Sequence, residues 1–363
     1  MREKHENTVC GVIDLGSSYF RLLVLRPRGV VKSSGERLRN ERAMKISSVA
    51  GSVRRGYPIH GTSFATILDA EIFEDREYVG WGSDLANGGV ISPEVLDRAC
   101  FALKHLVEES ARMGCKEPVL CGTNVFRQAL NRVEAKGRLE HASGLEVKVL
   151  SEKGEAVFGF IGASSSIDCS DGCTVIDLGG TSTEICTGRG SLVDRFSSLK
   201  AGTHSVVRDL PRRSLDMYHY RRVLLRYVEL LDGSSKNGIE FESIESLFSG
   251  GAGSMLATGG TAVSIAVLAG YIGTELFDPF RGYLLSFDSF VSLRNRIVGL
   301  YERGLENGLP LDRARIEVLV PGMLLLEAIW RVIGTDEIFI TARDLRWGIV
   351  LNGSALKGDL VVS

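Results

Sequence analysis

The pentapeptide Val12-Ile13-Asp14-Leu15-Gly16 recurs letter for letter, 163 residues further on, as Val175-Ile176-Asp177-Leu178-Gly179. Each copy is a short apolar run ending in Asp-x-Gly. Small hydroxyl-bearing residues follow: Ser17 and Ser18 after the first, and Gly180, Thr181, Ser182 and Thr183 after the second. A tight turn of this composition exposes backbone N–H groups and hydroxyls, the donors that hold phosphate oxygens. A third glycine-rich stretch, Thr258-Gly259-Gly260-Thr261, runs into an apolar segment with helical character. Gly259 and Gly260 allow close backbone approach, and a helix N-terminus behind them favours an anion. Three such turns suit one chain of phosphates.

Carboxylates complete the pattern. Asp14 and Asp177 stand at the strand ends, where they would repel a phosphate unless a divalent cation lay between, so the spacing implies Mg²⁺. Glu184, seven residues after Asp177 across the same hairpin, is a further metal ligand or a group that orients a water. The expected metal set is Asp14, Asp177 and Glu184. The expected phosphate set includes Gly16, Ser17, Ser18, Gly179, Gly180, Thr181, Ser182, Thr183, Gly259, Gly260 and Thr261.

The elements that must position these residues follow from periodicity. Each Asp-x-Gly copy reads as a strand that returns as a hairpin, through Phe20–Leu25 and Glu184–Thr187. Ser92-Pro93-Glu94 opens a helix that Gly114 closes, with apolar residues at helical spacing between. Helices are also expected over 126–135, 155–163, 261–269, 287–305, 323–332 and 345–351. Strands are expected over 119–121, 145–150 and 337–340. Hairpins are placed between residues 40 and 90, at Phe64–Leu68 and Glu77–Val79. Strands alternating with helices predict an α/β protein. The repeat predicts two domains of similar topology with a cleft between them, residues 1–125 and 126–363, the residues from about 345 packing back on the first.

Length and composition agree with this and exclude other classes. At 363 residues, 44% hydrophobic and 24% charged, the chain has globular proportions and room for two domains. No apolar run approaches the roughly 18 residues of a membrane span. The formal net charge of −2 argues against a nucleic-acid groove held by bulk charge. Met1–Thr8 has no apolar signal core, so a cytoplasmic location is expected. The seven cysteines are odd in number and lack CxxC spacing, which reads as reduced thiols, with Cys10, Cys100, Cys121 and Cys186 in apolar surroundings. Cys169 and Cys173 flank a short turn without further Cys or His nearby.

These motifs resemble the exopolyphosphatase/guanosine pentaphosphatase (Ppx/GppA) family, within the sugar kinase–heat-shock–actin superfold. Beside the repeat, the matching stretches are Gly122-Thr123-Asn124-Val125-Phe126-Arg127-Gln128-Ala129, Ser151-Glu152-Lys153-Gly154-Glu155-Ala156, Ala257-Thr258-Gly259-Gly260-Thr261, and the run from Val320-Pro321-Gly322 to Leu345-Arg346-Trp347-Gly348. The resemblance implies two actin-like, ribonuclease H-like domains and Mg²⁺-dependent hydrolysis of a terminal phosphoanhydride, with polyphosphate or guanosine pentaphosphate as substrate. It makes Glu155, in the place of the second Glu of a Glu-Glu-Ala-Arg motif, the base that activates water. Glu152 is the next candidate. Arg127 and, more weakly, Arg21 become phosphate-binding arginines.

The chain departs from the family pattern at Gly154, at Val157 in place of Arg, at Ser18 in place of Asn, and at Thr181 in place of Gly. The extra C-terminal helical domain of longer members is expected to be missing. Competing classes are a non-catalytic polyphosphate or alarmone sensor, told apart by lack of turnover, and a nucleotide-dependent kinase, told apart by phosphorylation of an alcohol. Neither a nucleic acid nor a membrane is expected as partner, and a homodimer is compatible with the reading.

Overall fold

The computed structural model describes residues 9–27, 70–86, 88–211, 215–231, 253–272, 277–278, 281–352 and 360–362. The chain forms two units. The first comprises Met1–Gly154 and Ile349–Ser363, and the second Glu155–Gly348. The sequence placed the boundary at 125/126; the structure puts it 29 residues later, inside a helix. The reason is strand pairing: the two strands that follow residue 118 hydrogen-bond into the first sheet rather than opening a new one.

In the first unit the strands are β1 (Cys10–Leu15), β2 (Tyr19–Pro27), β3 (Ala70–Tyr78), β4 (Val119–Gly122) and β5 (Val147–Val149). Their order is β3-β2-β1-β4-β5, with β1, β2 and β3 antiparallel and β4 and β5 parallel to β1. The helices are α1 (Gly82–Ala86), α2 (Pro93–Arg112), α3 (Asn124–Gln128) and α4 (Arg132–Ser143). Helix α2 buries Val95, Leu96, Ala99, Ala102, Leu103 and Leu106, the stripe that its periodicity announces. The single helix expected over 126–135 is two, α3 and α4. Asn131 breaks it, because its amide bonds the backbone of Ile91 in both directions. The hairpin placed at Phe64–Leu68 lies outside the described residues, and Glu77 belongs to β3.

The second unit repeats the plan. Its strands are β6 (Cys173–Leu178), β7 (Thr183–Arg189), β8 (Leu192–Leu199), β9 (Ser254–Thr258), β10 (Tyr283–Ser286) and β11 (Glu337–Ile340). Their order is β10-β11-β9-β6-β7-β8, in which β8-β7-β6-β9 reproduces β3-β2-β1-β4. Helix α5 (Glu152–Ser164) carries the unit boundary. It is followed by α6 (Thr203–Asp209), α7 (Met217–Leu231), α8 (Gly260–Ile272), α9 (Phe287–Glu302), α10 (Arg313–Ile333) and α11 (Leu345–Asn352). The core helix is α10, buried without a break from Leu319 to Trp330. Pro321 made the sequence look as if a helix began only at 323. The proline removes one backbone donor, yet burial of this apolar run outweighs the loss, and the helix starts at Arg313.

The described cysteines are all free thiols. Cys121 and Cys186 are core residues, Cys100 is half-buried and packs against the apolar cluster of the first unit, and Cys10 is exposed at the start of β1, unlike the apolar setting expected for it. Cys169 and Cys173 meet across their turn in a buried cluster with Ala156, Phe160 and Cys186.

Candidate active site

The second unit gathers most of the expected chemistry. Strand β6 delivers Asp177 directly opposite Glu184 of β7 in the antiparallel register. The loop between them is closed by a Gly179 N–H to Ser182 C=O hydrogen bond of 3.1 Å, and a Cβ on Gly179 would stand 2.6 Å from that carbonyl oxygen. A second layer of backbone seals the loop: Thr203 N–H donates to the Gly179 carbonyl at 3.1 Å and His204 N–H to that of Gly180 at 2.9 Å.

Asp177 points into a crowded space. A Cβ at Gly159 on α5 would lie 3.5 Å from its Oδ2, and one at Gly259 would lie 2.8 Å from its Oδ1. Gly259 has φ of +92°, a left-handed conformation that glycine adopts without strain. Thus α5 and the Gly259–Gly260 turn both meet this carboxylate through glycines. Glu184 is 4% exposed, and its Oε1 accepts from the Ser198 hydroxyl at 3.0 Å. Its carboxyl is pushed well above the usual carboxylate range. Burial is the main cause; the charges of Glu155 and Asp177 add to it, and hydrogen bonds from Ser182 and Ser198 oppose it. Glu155, in the first turn of α5, is therefore close enough to act electrostatically on the Asp177–Glu184 pair.

The departure at Gly154 has a steric cause. Ser151 caps α5 by accepting the Gly154 N–H at 3.0 Å, and the returning C-terminal segment crosses there. Ser151 N–H donates to the Leu360 carbonyl at 3.1 Å, and any Cβ on Gly154 would collide with that same oxygen. A glutamate cannot occupy the position while this crossing is kept. Ser182 is buried beneath the loop beside Glu184. Thr183 gives its hydroxyl to the Ala201 carbonyl at 2.8 Å, and the Thr261 side chain packs against Gly322. The Ser182 hydroxyl thus serves Glu184 and that of Thr183 the fold, while Thr181 is partly exposed.

In the first unit the same pentapeptide gives a different centre. Asp14, 2% exposed, pairs in register with Arg21, and its Oδ2 accepts from Arg21 Nη2 at 2.5 Å and Nε at 3.1 Å. The Gly16–Ser18 turn is pinned from outside: Trp81 Nε1 donates to Gly16 O at 2.8 Å, Gly82 N–H to Ser17 O at 2.8 Å, and Val79 N–H to Ser18 O at 2.9 Å. Arg127 on α3 anchors one Nη to the Leu150 carbonyl at 2.8 Å.

Among the described residues no three His, Cys, Asp or Glu side chains are arranged to hold a metal ion by themselves. Mg²⁺ seldom needs such a cage: one or two carboxylates suffice, water and substrate phosphates supplying the rest. Asp177 and Glu184, adjacent oxygen donors with mutual repulsion to relieve, fit that share. One residue beside this turn escaped the sequence reading. The guanidinium of Arg315, in the first turn of α10, lies against Gly260, where any Cβ would overlap it.

Comparison with known proteins agrees with the motifs. The model of the Ppx/GppA phosphatase family matches residues 69–356. A bifunctional 3-dehydroquinate synthase/phosphatase of Fusobacterium nucleatum is 23% identical over 287 residues, 78% of this chain and 42% of that protein. The chain therefore spans less than half the length of that curated relative. Among solved structures, an exopolyphosphatase from Cytophaga hutchinsonii superposes with a TM-score of 0.75 at 19% identity, covering 97% of this chain and all of that one. The Aquifex aeolicus member of the Ppx/GppA family gives 0.68 at 16% identity, covering 96% and 98%. These similarities show the fold: α/β, with two actin-like domains. No helix among the described residues is long and apolar enough to cross a membrane.

Proposed function

Because this chain belongs to the Ppx/GppA phosphatase family, we propose that it is a phosphohydrolase releasing terminal phosphate from inorganic polyphosphate or guanosine pentaphosphate with Mg²⁺. The observation that carries the reading is the meeting of Glu155, Asp177 and Glu184 beside two glycine turns in one unit. Glu155 accepts a proton from a water as its oxygen attacks the terminal phosphorus, and the bridging P–O bond opposite breaks. Orthophosphate and a chain shorter by one phosphate result. Glu155 is only partly buried, which leaves its carboxyl accessible to a water. Asp177 and Glu184 would hold Mg²⁺, which offsets the charge on the phosphate oxygens during transfer.

The backbone of Gly179–Thr183 and of Gly259–Thr261 supplies donors to the chain. Gly16, Ser17, Ser18, Arg21 and Arg127 of the first unit are further phosphate-binding groups. Asp14 acts by holding Arg21, since its Oδ2 is taken by that guanidinium. The test is phosphate release from long polyphosphate, short polyphosphate and guanosine pentaphosphate, with and without Mg²⁺. Mg²⁺-dependent release from one of them is expected. Tight binding without release from any would favour the sensor instead.

A further inference from the structure

The β6–β7 loop of the second unit leads into a cationic surface that the hydrolytic step does not use. The first residues of α6 seal this loop, His204 N–H holding the Gly180 carbonyl. One helical turn on from His204, on the same face of α6, stands Arg208, exposed and in the last turn of this seven-residue helix. Helix α7 meets α6 at that end. Tyr227 donates its hydroxyl to Asp209 Oδ2 at 2.9 Å, and Arg226 approaches Asp209 Oδ1 at 3.5 Å. The charges of Arg226 and Arg208 both reach the Tyr227 hydroxyl, so the two guanidiniums share one neighbourhood. Arg222, exposed, lies one turn before Arg226 on α7, with Arg221 beside it.

A line of cations thus runs outward from the Gly180 turn: Arg208, Arg226, Arg222. Residues one turn apart on a helix stand about 5–6 Å apart at Cβ. The charge of the line is mostly uncompensated. Among the described residues Arg208, Arg221 and Arg222 have no carboxylate at ion-pair distance. Asp209 is taken up by Arg226 and Tyr227, and Asp216 by His219. Like charges at this spacing repel, and an anion laid across them relieves the repulsion. Release of a terminal phosphate does not call for them: α6 is about 10 Å long, which sets Arg208 beyond the loop that holds the reacting end.

We infer that this arginine line is a second phosphate-binding site, a track for the distal part of a long inorganic polyphosphate whose end sits at the Gly179–Thr183 loop. The inference rests on the phosphohydrolase reading above and adds a preference for long chains to it. Tripolyphosphate is too short to lie along the line. Guanosine pentaphosphate continues into a nucleoside rather than into further phosphates.

The test compares long-chain inorganic polyphosphate with inorganic tripolyphosphate on the full chain, binding read by titration calorimetry and turnover by phosphate release. The double variant Arg208→Ala, Arg222→Ala changes two exposed side chains and leaves the core untouched. It should weaken long-chain binding about tenfold relative to tripolyphosphate, the loss appearing in KM rather than kcat. Lysine at both positions should recover most of it, since point charges suffice for a flexible polyanion. The salt dependence of long-chain binding should flatten by about one to two released counterions, which a purely structural role would not change. A long-to-short ratio within about twofold of wild type overturns the inference. An equal loss on both substrates overturns it too, because it places the arginines at the loop or in the fold. A double variant that keeps the ratio but loses affinity for single-stranded RNA assigns the surface to nucleic acid instead. The two readings fail separately. Preferential loss of long-chain binding in a protein that releases no phosphate removes the hydrolase and keeps the track, whereas hydrolysis with wild-type chain-length preference in the double variant does the reverse.

Discussion

Two hairpins with the same five residues in the same register end in opposite electrostatics. In β1–β2 the residue facing Asp14 is Arg21, and the carboxylate is neutralised by an ion pair. In β6–β7 the residue facing Asp177 is Glu184, and two carboxylates oppose each other with Glu155 close by. The pentapeptide fixes where the carboxylate stands. The residue seven positions later decides whether it is a structural anion or one short of positive charge. A divalent cation has reason to sit at the second hairpin and little at the first.

Asp177→Asn attacks this difference most directly. Mg²⁺ and its carboxylate are worth several kcal/mol to phosphoryl transfer, so phosphate release should fall on the order of a thousandfold with the fold retained. Asp14→Asn, the equivalent change in the first hairpin, should act mainly on KM by loosening Arg21. Equal losses of kcat in the two variants would erase the contrast. Glu155→Gln comes next. It keeps size and hydrogen bonding but removes basicity, and should cost at least about a hundredfold in turnover. Substrate affinity should hold or improve, since one negative charge leaves the site. Should Glu155→Gln keep most of its activity, Glu152 is the residue to change next.

Arg21→Gln tests the first hairpin from its cationic side. Loss of a fork donor to phosphate should raise KM about tenfold with little change in kcat. A fall in kcat alone would show Arg21 serving only to neutralise Asp14.

Much of this was legible in the sequence because the repeat sets strand, turn and register together. A seven-residue spacing across a short turn pairs Asp14 with Arg21 and Asp177 with Glu184 without any tertiary information. What stayed hidden depended on tertiary packing. Arg315 lies 55 residues from Gly260 in sequence, and no periodicity links them. The departure at Gly154 has its cause in the Leu360 carbonyl packed against it, far along the chain. The domain boundary was placed early because β4 pairs with β1 and β5 with β4, a long-range choice that local pattern does not encode. Pro321 misled for a similar reason, since burial on every side of α10 overrides its local cost.

The smallest effect sharpens the comparison through stability rather than rate. In the fold, Glu184 holds its proton above its ordinary value of 4.5, chiefly through burial and then through the charges of Glu155 and Asp177. In the unfolded chain it ionises near 4.5. As pH rises past that value, the unfolded state sheds a proton that the folded state keeps, so the unfolded state gains and stability falls. The fall continues until Glu184 ionises in the fold as well. Glutamine there keeps the size and the Ser198 hydrogen bond but has nothing to ionise. Glu184→Gln should therefore match wild type in thermal midpoint at pH 4 and exceed it at pH 8, by about 2–4 °C for each kcal/mol relieved. Mg²⁺ should raise the wild-type midpoint at pH 8 and leave that of the variant nearly unmoved, because the cation offsets the same repulsion that the glutamine removes. Asp14, already paired with Arg21, predicts the opposite sign: Asp14→Asn should lower the midpoint at pH 8, the ion pair being most complete there. Differential scanning calorimetry of the two variants across this pH range measures both. If both midpoints move in the same direction, the two hairpins do not differ in the way their cross-strand partners require.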